Sequence, residues 1–376
     1  MANTLDNLIP DVYASLDVVS RELTGFLPGV TRDASLDRVA SGQSVRVHQA
    51  PANIAGKDIT PAMALPAAAD QVIGNAALTI TKSRSFPFSY SGEEQAALDA
   101  GPGFLSVKQS QIAQAIRAAV NEMENDVADA AVLGSRAYGT AGTTPFASDL
   151  SDSAQVRKIL DDNGAPASGR SLVIDTSAGA SLRTLSNLSK ANESGSSMTL
   201  RDGQLLDVHG FAIRESGQVN NATKGTGASY LLNGALAIGA LTVTVDGGSG
   251  TILAGDIVTI GNHKYVADTA LVGGVTFTVA SPGIQEIVAD NAAITVNATS
   301  ARNIAFSQDA ILLAARLPVE PQGGDLAIMS EVVTDPRTGI SFEIRVYPGY
   351  RMNLYEIGLA WGVKMAKPAH AAVLLG

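Results

Sequence analysis

Residues Ser106–Gly134 read SVKQSQIAQAIRAAVNEMENDVADAAVLG. Val107, Ile112, Ile116, Val120, Met123, Val127, Ala131 and Val132 recur on or near one stripe, the period of an amphipathic helix. Ser106 is placed to cap the start, and Gly134 sits just past the end. At about 1.5 Å per residue, a helix over 106–133 runs ~40 Å and crosses a whole domain. Its other side carries Lys108, Arg117, Glu122, Glu124, Asp126 and Asp129, which the pattern assigns to a solvated face.

On either side the texture changes. Upstream, Leu5, Leu8, Ile9, Val12, Leu16, Val19 and Leu23 predict a short amphipathic helix over 4–24, either docked on its own body or reaching a neighbour. Strand signals at Ser44–His48 and Ala77–Ser85 flank a stretch broken by Pro51, Pro61 and Pro66. So long an irregular connection is unusual in a compact domain. Such a loop is either disordered or ordered by something outside the subunit, and its Ile54, Ile59, Met63, Leu65, Val72 and Ile73 offer apolar contacts that favour the second.

Downstream, 151–222 mixes elements: helices over Ala154–Leu160 and from Thr176 or Ser177 to about Lys190, a strand at Ser171–Asp175, and strands around His209-Gly210. Residues 228–299 then read as short strands only, at 235–245, 256–260, 264–267, 275–279 and 293–296. The turns are assigned to Asp246-Gly247-Gly248, Gly261-Asn262 and Gly273-Gly274. That spacing suggests a small barrel set into another domain. The tail resumes with a helix expected at Ser307–Ala315. Two strands follow, at 326–333 and 340–346, around Asp335–Gly339, and the last β run is Leu354–Met365 with the single tryptophan, Trp361.

The 376 residues suffice for two domains, and the formal charge is −10 with no basic block. A dedicated nucleic-acid binder is therefore not expected, although an acidic protein can surround nucleic acid without gripping it. With no cysteine, thiolate metal sites, disulfides and cysteine nucleophiles are excluded. No apolar run reaches a membrane-spanning length, and the polar start Met1–Pro10 does not read as a signal peptide, so the expected setting is a cytoplasm. His48, His209, His263 and His370 show no metal-ligand spacing. Gly247-Gly248-Ser249-Gly250 joins strand to strand and is read as a hairpin tip, not a phosphate loop. Glu93-Glu94 reads as a helix start, where acids oppose the helix dipole. No catalytic residue, metal site or cofactor is expected.

The order of these parts resembles the major capsid proteins of tailed bacteriophages, with the Hong Kong 97-like fold. It is closest to podovirus coat proteins that carry an inserted β-barrel. The likeness is borne by Leu241–Val245, Ala254–Tyr265, Asn303–Leu313 with Leu317-Pro318, and Leu359–Val363 before Lys367-Pro368. The resemblance implies an α+β chain divided into an N-terminal arm (1–39), an extended loop (40–95), a spine helix and peripheral domain (96–174), an axial domain (175–227), an inserted β-barrel (228–301) and a returning part (302–376).

It implies self-assembly into hexamers and pentamers of an icosahedral shell around double-stranded DNA that is contacted only non-specifically. Scaffolding and portal proteins are the expected partners, no membrane is involved, and assembly takes place in the host bacterial cytoplasm. No motif supports a covalent crosslink, so closure is expected to be noncovalent. The interface candidates are Leu8, Val12, Ile54, Ile59, Met63, Lys82, Arg84, Glu93 and Asp99, with Lys82 and Arg84 meeting Glu93 or Asp99 of a neighbouring copy. A tail-tube or baseplate subunit, a carbohydrate-binding β-module and a hydrolase using His48 or His209 are the rival readings.

Overall fold

A computed structural model describes residues 23–33, 35–48, 58, 59, 61, 75–100, 104–190, 202, 203, 205, 207–219, 221–335 and 338–376. The helix expected over 4–24 lies almost wholly outside them. The chain is α+β, with two large sheets and few helices. Helix α1 (Gly92–Asp99) opens with a capping box: Ser91 accepts from the Glu94 N–H, and the Glu94 carboxylate accepts from the Ser91 N–H. Helix α2 (Phe104–Ala131) is the long helix of the sequence. Helices α3 (Ser151–Asp162) and α4 (Thr176–Thr184) follow, the latter capped by the Asp175 carboxylate on the N–H groups of Ser177 and Ala178.

The first sheet is built around the strand Met352–Met365. Lys82–Ser91 pairs along one side of it, and Ile311–Pro318 and Ser341–Gly349 share the other. Met329–Thr334 forms an edge, while Thr31–Asp33 and Arg38–Val39 run parallel to Ile311–Pro318. Glu343, almost fully buried, accepts two bonds from the Arg38 guanidinium, at 2.7 and 3.0 Å, and ties that short strand down. Phe26, Leu27 and Val30 are buried, so the chain just before these strands belongs to its own core.

The helix expected at Ser307–Ala315 is not formed. The chain ends one strand at Ser307, turns, and starts another at Ile311. Ile311, Leu313 and Ala315 face the α2 core, while Leu312 and Ala314 face a second cluster with Leu78 and Ile80. A strand covered on both faces has no polar alternation, so its sequence reads like a helix.

The second sheet runs, in spatial order, 276–278, 242–249, 228–232, 293–296, 257–260, 263–266, 136–138, 371–375, 300–307, 170–174 and 212–215. Helix α2 packs on the first sheet and on one face of this one, its Ile116, Val120, Met123 and Val127 in one core with Trp361, Ile304, Phe306 and Val373. Helices α3 and α4 cover the opposite face, with Val156, Leu160 and Leu182 clustered with Leu172, Ile174 and Leu374. Trp361 is not in the last strand: Ala371–Leu375 follows it and sits in the middle of the second sheet.

The β-only segment 228–299 has its own core of Val243, Val245, Val258, Ile260, Tyr265, Phe277, Ile294 and others. Its outer strands meet through the bridge Ala267↔Val279 and the bond from the Asp268 N–H to the Thr278 carbonyl. The expected strand 235–245 is displaced, lying instead at Thr242–Ser249. Asp246-Gly247-Gly248 is therefore not a hairpin tip but mid-strand, opposite Ser229–Leu231. Gly248 has φ +64°, and a Cβ there would meet the Tyr230 ring and the Ala228 carbonyl. The turn at Gly261-Asn262 is as expected. The segment 228–299 joins the rest of the second sheet, because His263–Val266 hydrogen-bonds to Arg136–Tyr138.

Candidate functional site

The two basic candidates of the loop, Lys82 and Arg84, stand on the strand Lys82–Ser91 where it passes α2. Lys82 Nζ lies 3.0 Å from Glu122 Oε1 and 2.8 Å from Asp126 Oδ1, and Arg84 Nε donates to Glu122 at 3.1 Å. Asp126 also accepts the Trp361 indole N–H at 2.7 Å, and Lys82 lies over that ring. Within one chain these cations thus meet Glu122 and Asp126, whereas the expected acids were Glu93 and Asp99 of another copy. Partial burial acts to lower the Lys82 pKa, but Asp126 and Glu122 outweigh it and the ammonium is held above its ordinary value. The seam fixes the returning leg of the loop to the long helix.

The acidic side of α2 is accordingly only in part a solvated face: Asp129 is exposed, but Glu122 and Asp126 are engaged in the seam. Glu124 is 0% exposed. Its Oε1 accepts from the Gly25 and Phe26 N–H groups at 2.5 and 2.8 Å and from the Ser216 hydroxyl at 2.8 Å, and its Oε2 accepts from the Leu27 N–H at 2.9 Å. Burial pushes this carboxyl above its ordinary value, and the four donors pull against that. The sequence carried a signal for this: position 124 follows Val120 by four residues and precedes Val127 by three, the spacing of the apolar stripe itself.

The near part of the extended loop is a two-stranded ribbon, Ser44–His48 paired with Asn75–Thr79. It does not stand free. Leu78 and Ile80 are buried with Leu312, Ala314 and Ala360 of the first sheet. The Thr81 N–H donates to the Trp361 carbonyl at 3.1 Å. The ribbon lies so close that a Cβ on Gly362 would be driven into the Thr79 carbonyl. Gly362→Ala is therefore expected to cost about 2–3 kcal/mol and to speed hydrogen exchange at Ile80 and Thr81. Unchanged exchange there would show that the ribbon is not seated on this glycine.

Asp309 clamps the turn between two buried strands to the C-terminal segment. It accepts from Ser307 Oγ, from Lys367 Nζ at 2.8 Å, and lies 3.0 Å from His370 Nδ1. Burial alone would raise its pKa, but these partners bring it from 3.8 down to about 2. A folded-state pKa below the unfolded one means stability that is full above the unfolded value and lost as the pH falls through about 2. Asp309→Asn is expected to remove that part of the acid sensitivity and to lower stability at neutral pH, as read from urea midpoints across the acid range.

Of the remaining candidates, Ile59 is 99% exposed. Glu93 and Asp99 stand exposed on α1. Leu8, Val12, Ile54 and Met63 lie outside the described residues. Exposed apolar side chains outside those candidates include Leu326 and Ile328, just before the edge strand Met329–Thr334, and Tyr350, 92% exposed, in the turn between Ser341–Gly349 and Met352–Met365. A cleft of ≈ 810 Å³ separates the hairpin tip Gly349–Asn353 from the start of α1 and includes Glu93. Ser153 Oγ lies 2.8 Å from His209 Nδ1, but its single proton goes to the Leu150 carbonyl. Among the described residues, no three His, Asp or Glu side chains converge as metal ligands, and no helix is long and apolar enough to cross a membrane.

No family model and no curated protein sequence matches the chain. Solved structures do. A structure from Mycobacterium phage Che8 matches over 99% of this chain and 98% of its own, with a TM-score of 0.53 at 15% identity. The capsid structure of cyanophage P-SCSP1u matches over 100% of this chain and 92% of its own, with a TM-score of 0.52 at 12% identity. This chain has the fold of a phage capsid protein. The match spans the whole chain, residues 228–299 included.

Proposed function

We propose that the protein is a major capsid protein, a structural subunit whose copies close into the icosahedral shell of a phage around double-stranded DNA. The observation that carries this is the end-to-end match to the cyanophage capsid structure at a sequence identity of only 12%. A shared path over so much chain, with so little shared sequence, reflects a common architecture.

In this reading the fold is Hong Kong 97-like. Helix α2 is the spine helix, residues 40–95 are the extended loop, and 228–301 are an inserted β-barrel. The ring of strands that meets at Ala267 and Val279 supports the last assignment. Hexamers and pentamers form through Leu8, Val12, Ile54, Ile59 and Met63 of the arm and loop, with Glu93 and Asp99 of α1 at the rim. Arg84, with 56% of its side chain exposed beyond its bond to Glu122, keeps reach toward a neighbour. Scaffolding and portal proteins take part in assembly in the host cytoplasm, and the mature location is the virion. The excess of acids keeps packaged DNA from adhering to the wall.

Electron microscopy of the purified protein, alone and coexpressed with the genes beside it, tests the proposal. Closed shells are the expected result. Open tubes would assign it to a tail, and dispersed monomers under all conditions would overturn the shell reading.

A further inference from the structure

A cleft of ≈ 310 Å³ opens where the inserted segment joins the host. Its walls are the host strand Arg136–Tyr138, helix α3 and the turn before His263–Val266, and it collects Arg136, Lys158, His263 and Lys264 against one carboxylate, Asp162. Arg136 is 5% exposed, and its Nε is buried with no hydrogen-bond partner, although its other end reaches Asp162 at 3.2 Å. Lys264 is half-buried, its ammonium donating to the Gly139 carbonyl, and burial holds its pKa below the ordinary value. Lys158 is exposed and has no acid at ion-pair distance among the described residues. Glu286 stands behind the rim, occupied by the Asn262 N–H groups. In a chain of net charge −10, this cleft has an excess of cations.

Such a site stabilises an anion, because Asp162 answers Arg136 alone, whereas Lys264, partly stripped of water, and Lys158 have no acid at ion-pair distance among the described residues. We propose that the cleft is a socket for a carboxylate side chain projecting from a second copy of this protein. The proposal rests on the shell reading above and names one of its contacts. Two observations favour a carboxylate over nucleic acid. Arg136 and Lys264 are recessed, within reach of a single protruding side chain but not of a broad duplex face, which is read by exposed cations. Acids outnumber bases by 36 to 26, so any copy offers carboxylates to its neighbour.

The test uses the full chain, with Lys158→Glu and Lys158→Arg. Lys158 is exposed, so neither change should disturb the fold of the free subunit. The protein concentration at which shells appear is measured by light scattering at low and high salt. Lys158→Glu is expected to raise that concentration roughly tenfold at low salt, since each weakened contact recurs throughout the lattice. Lys158→Arg should restore it, and the two variants should converge at high salt. A Lys158→Glu protein that assembles like the parent would overturn the socket and leave the shell reading intact. So would a drop in the melting temperature of its unassembled subunit, or a short DNA duplex that binds the parent and not Lys158→Glu. A parent that forms no shells under any condition would instead remove the shell reading itself.

Discussion

Glu124→Gln is expected to destabilise the subunit by about 3–4 kcal/mol, measured as a lower urea midpoint with an unchanged slope. The carboxylate is an acceptor only, and four donors converge on it from the segment 25–27 and from Ser216. An amide of the same shape turns one oxygen into a donor. If that group replaces Oε2, it faces the Leu27 N–H, and if it replaces Oε1, it faces three donors. Either way a buried N–H is left unsatisfied and the charge-assisted bonds are lost. Glu122→Gln is the control, because Glu122 is partly exposed and its ion pairs are partly screened, so its loss should stay below about 1 kcal/mol. Equal effects at 122 and 124 would show that the bonds to 25–27 do not hold the segment in the core.

Trp361→Ala is expected to cost about 4–5 kcal/mol and to abolish shell formation at concentrations where the parent assembles. The indole projects from the long central strand and is fully buried against α2, and its N–H is bonded to Asp126. Removing it opens a cavity and frees Asp126 from one of its two partners. Trp361→Phe separates these effects: the ring bulk is largely kept and the indole bond is lost, for about 1.5–3 kcal/mol. If alanine and phenylalanine cost the same, packing around the indole contributes little. If alanine destabilises the monomer while shells still form normally, the coupling of loop leg and long helix through this residue is not needed for assembly.

Much of the fold was legible in the sequence because some of its signals are local. The stripe from Val107 to Val132, the acids Glu93-Glu94 at the start of α1, the start of α4 at Thr176 and the turn at Gly261-Asn262 each need only neighbouring residues to be recognised. The interface candidates divide differently. Lys82 and Arg84 were singled out as charges, but their partners within the chain stand roughly forty residues away on α2. Sequence distance hid that seam, and it hid the basic cleft, whose cations come from three separate elements.

By itself, the sequence determined an α+β chain with one long helix and a β-only segment set within it, because hydrophobic period and turn residues act over a few positions. Only the tertiary structure decided what lies on each side of those elements. Ile311–Pro318 is a strand because α2 covers one face and the loop root the other. Ala371–Leu375, likewise covered on both sides, takes the centre of the second sheet. Glu124 is an interior acceptor because the segment 25–27 brings its amides there. Burial on two faces and the pairing of distant polar groups exist only once the layers are assembled, so no local pattern encodes them.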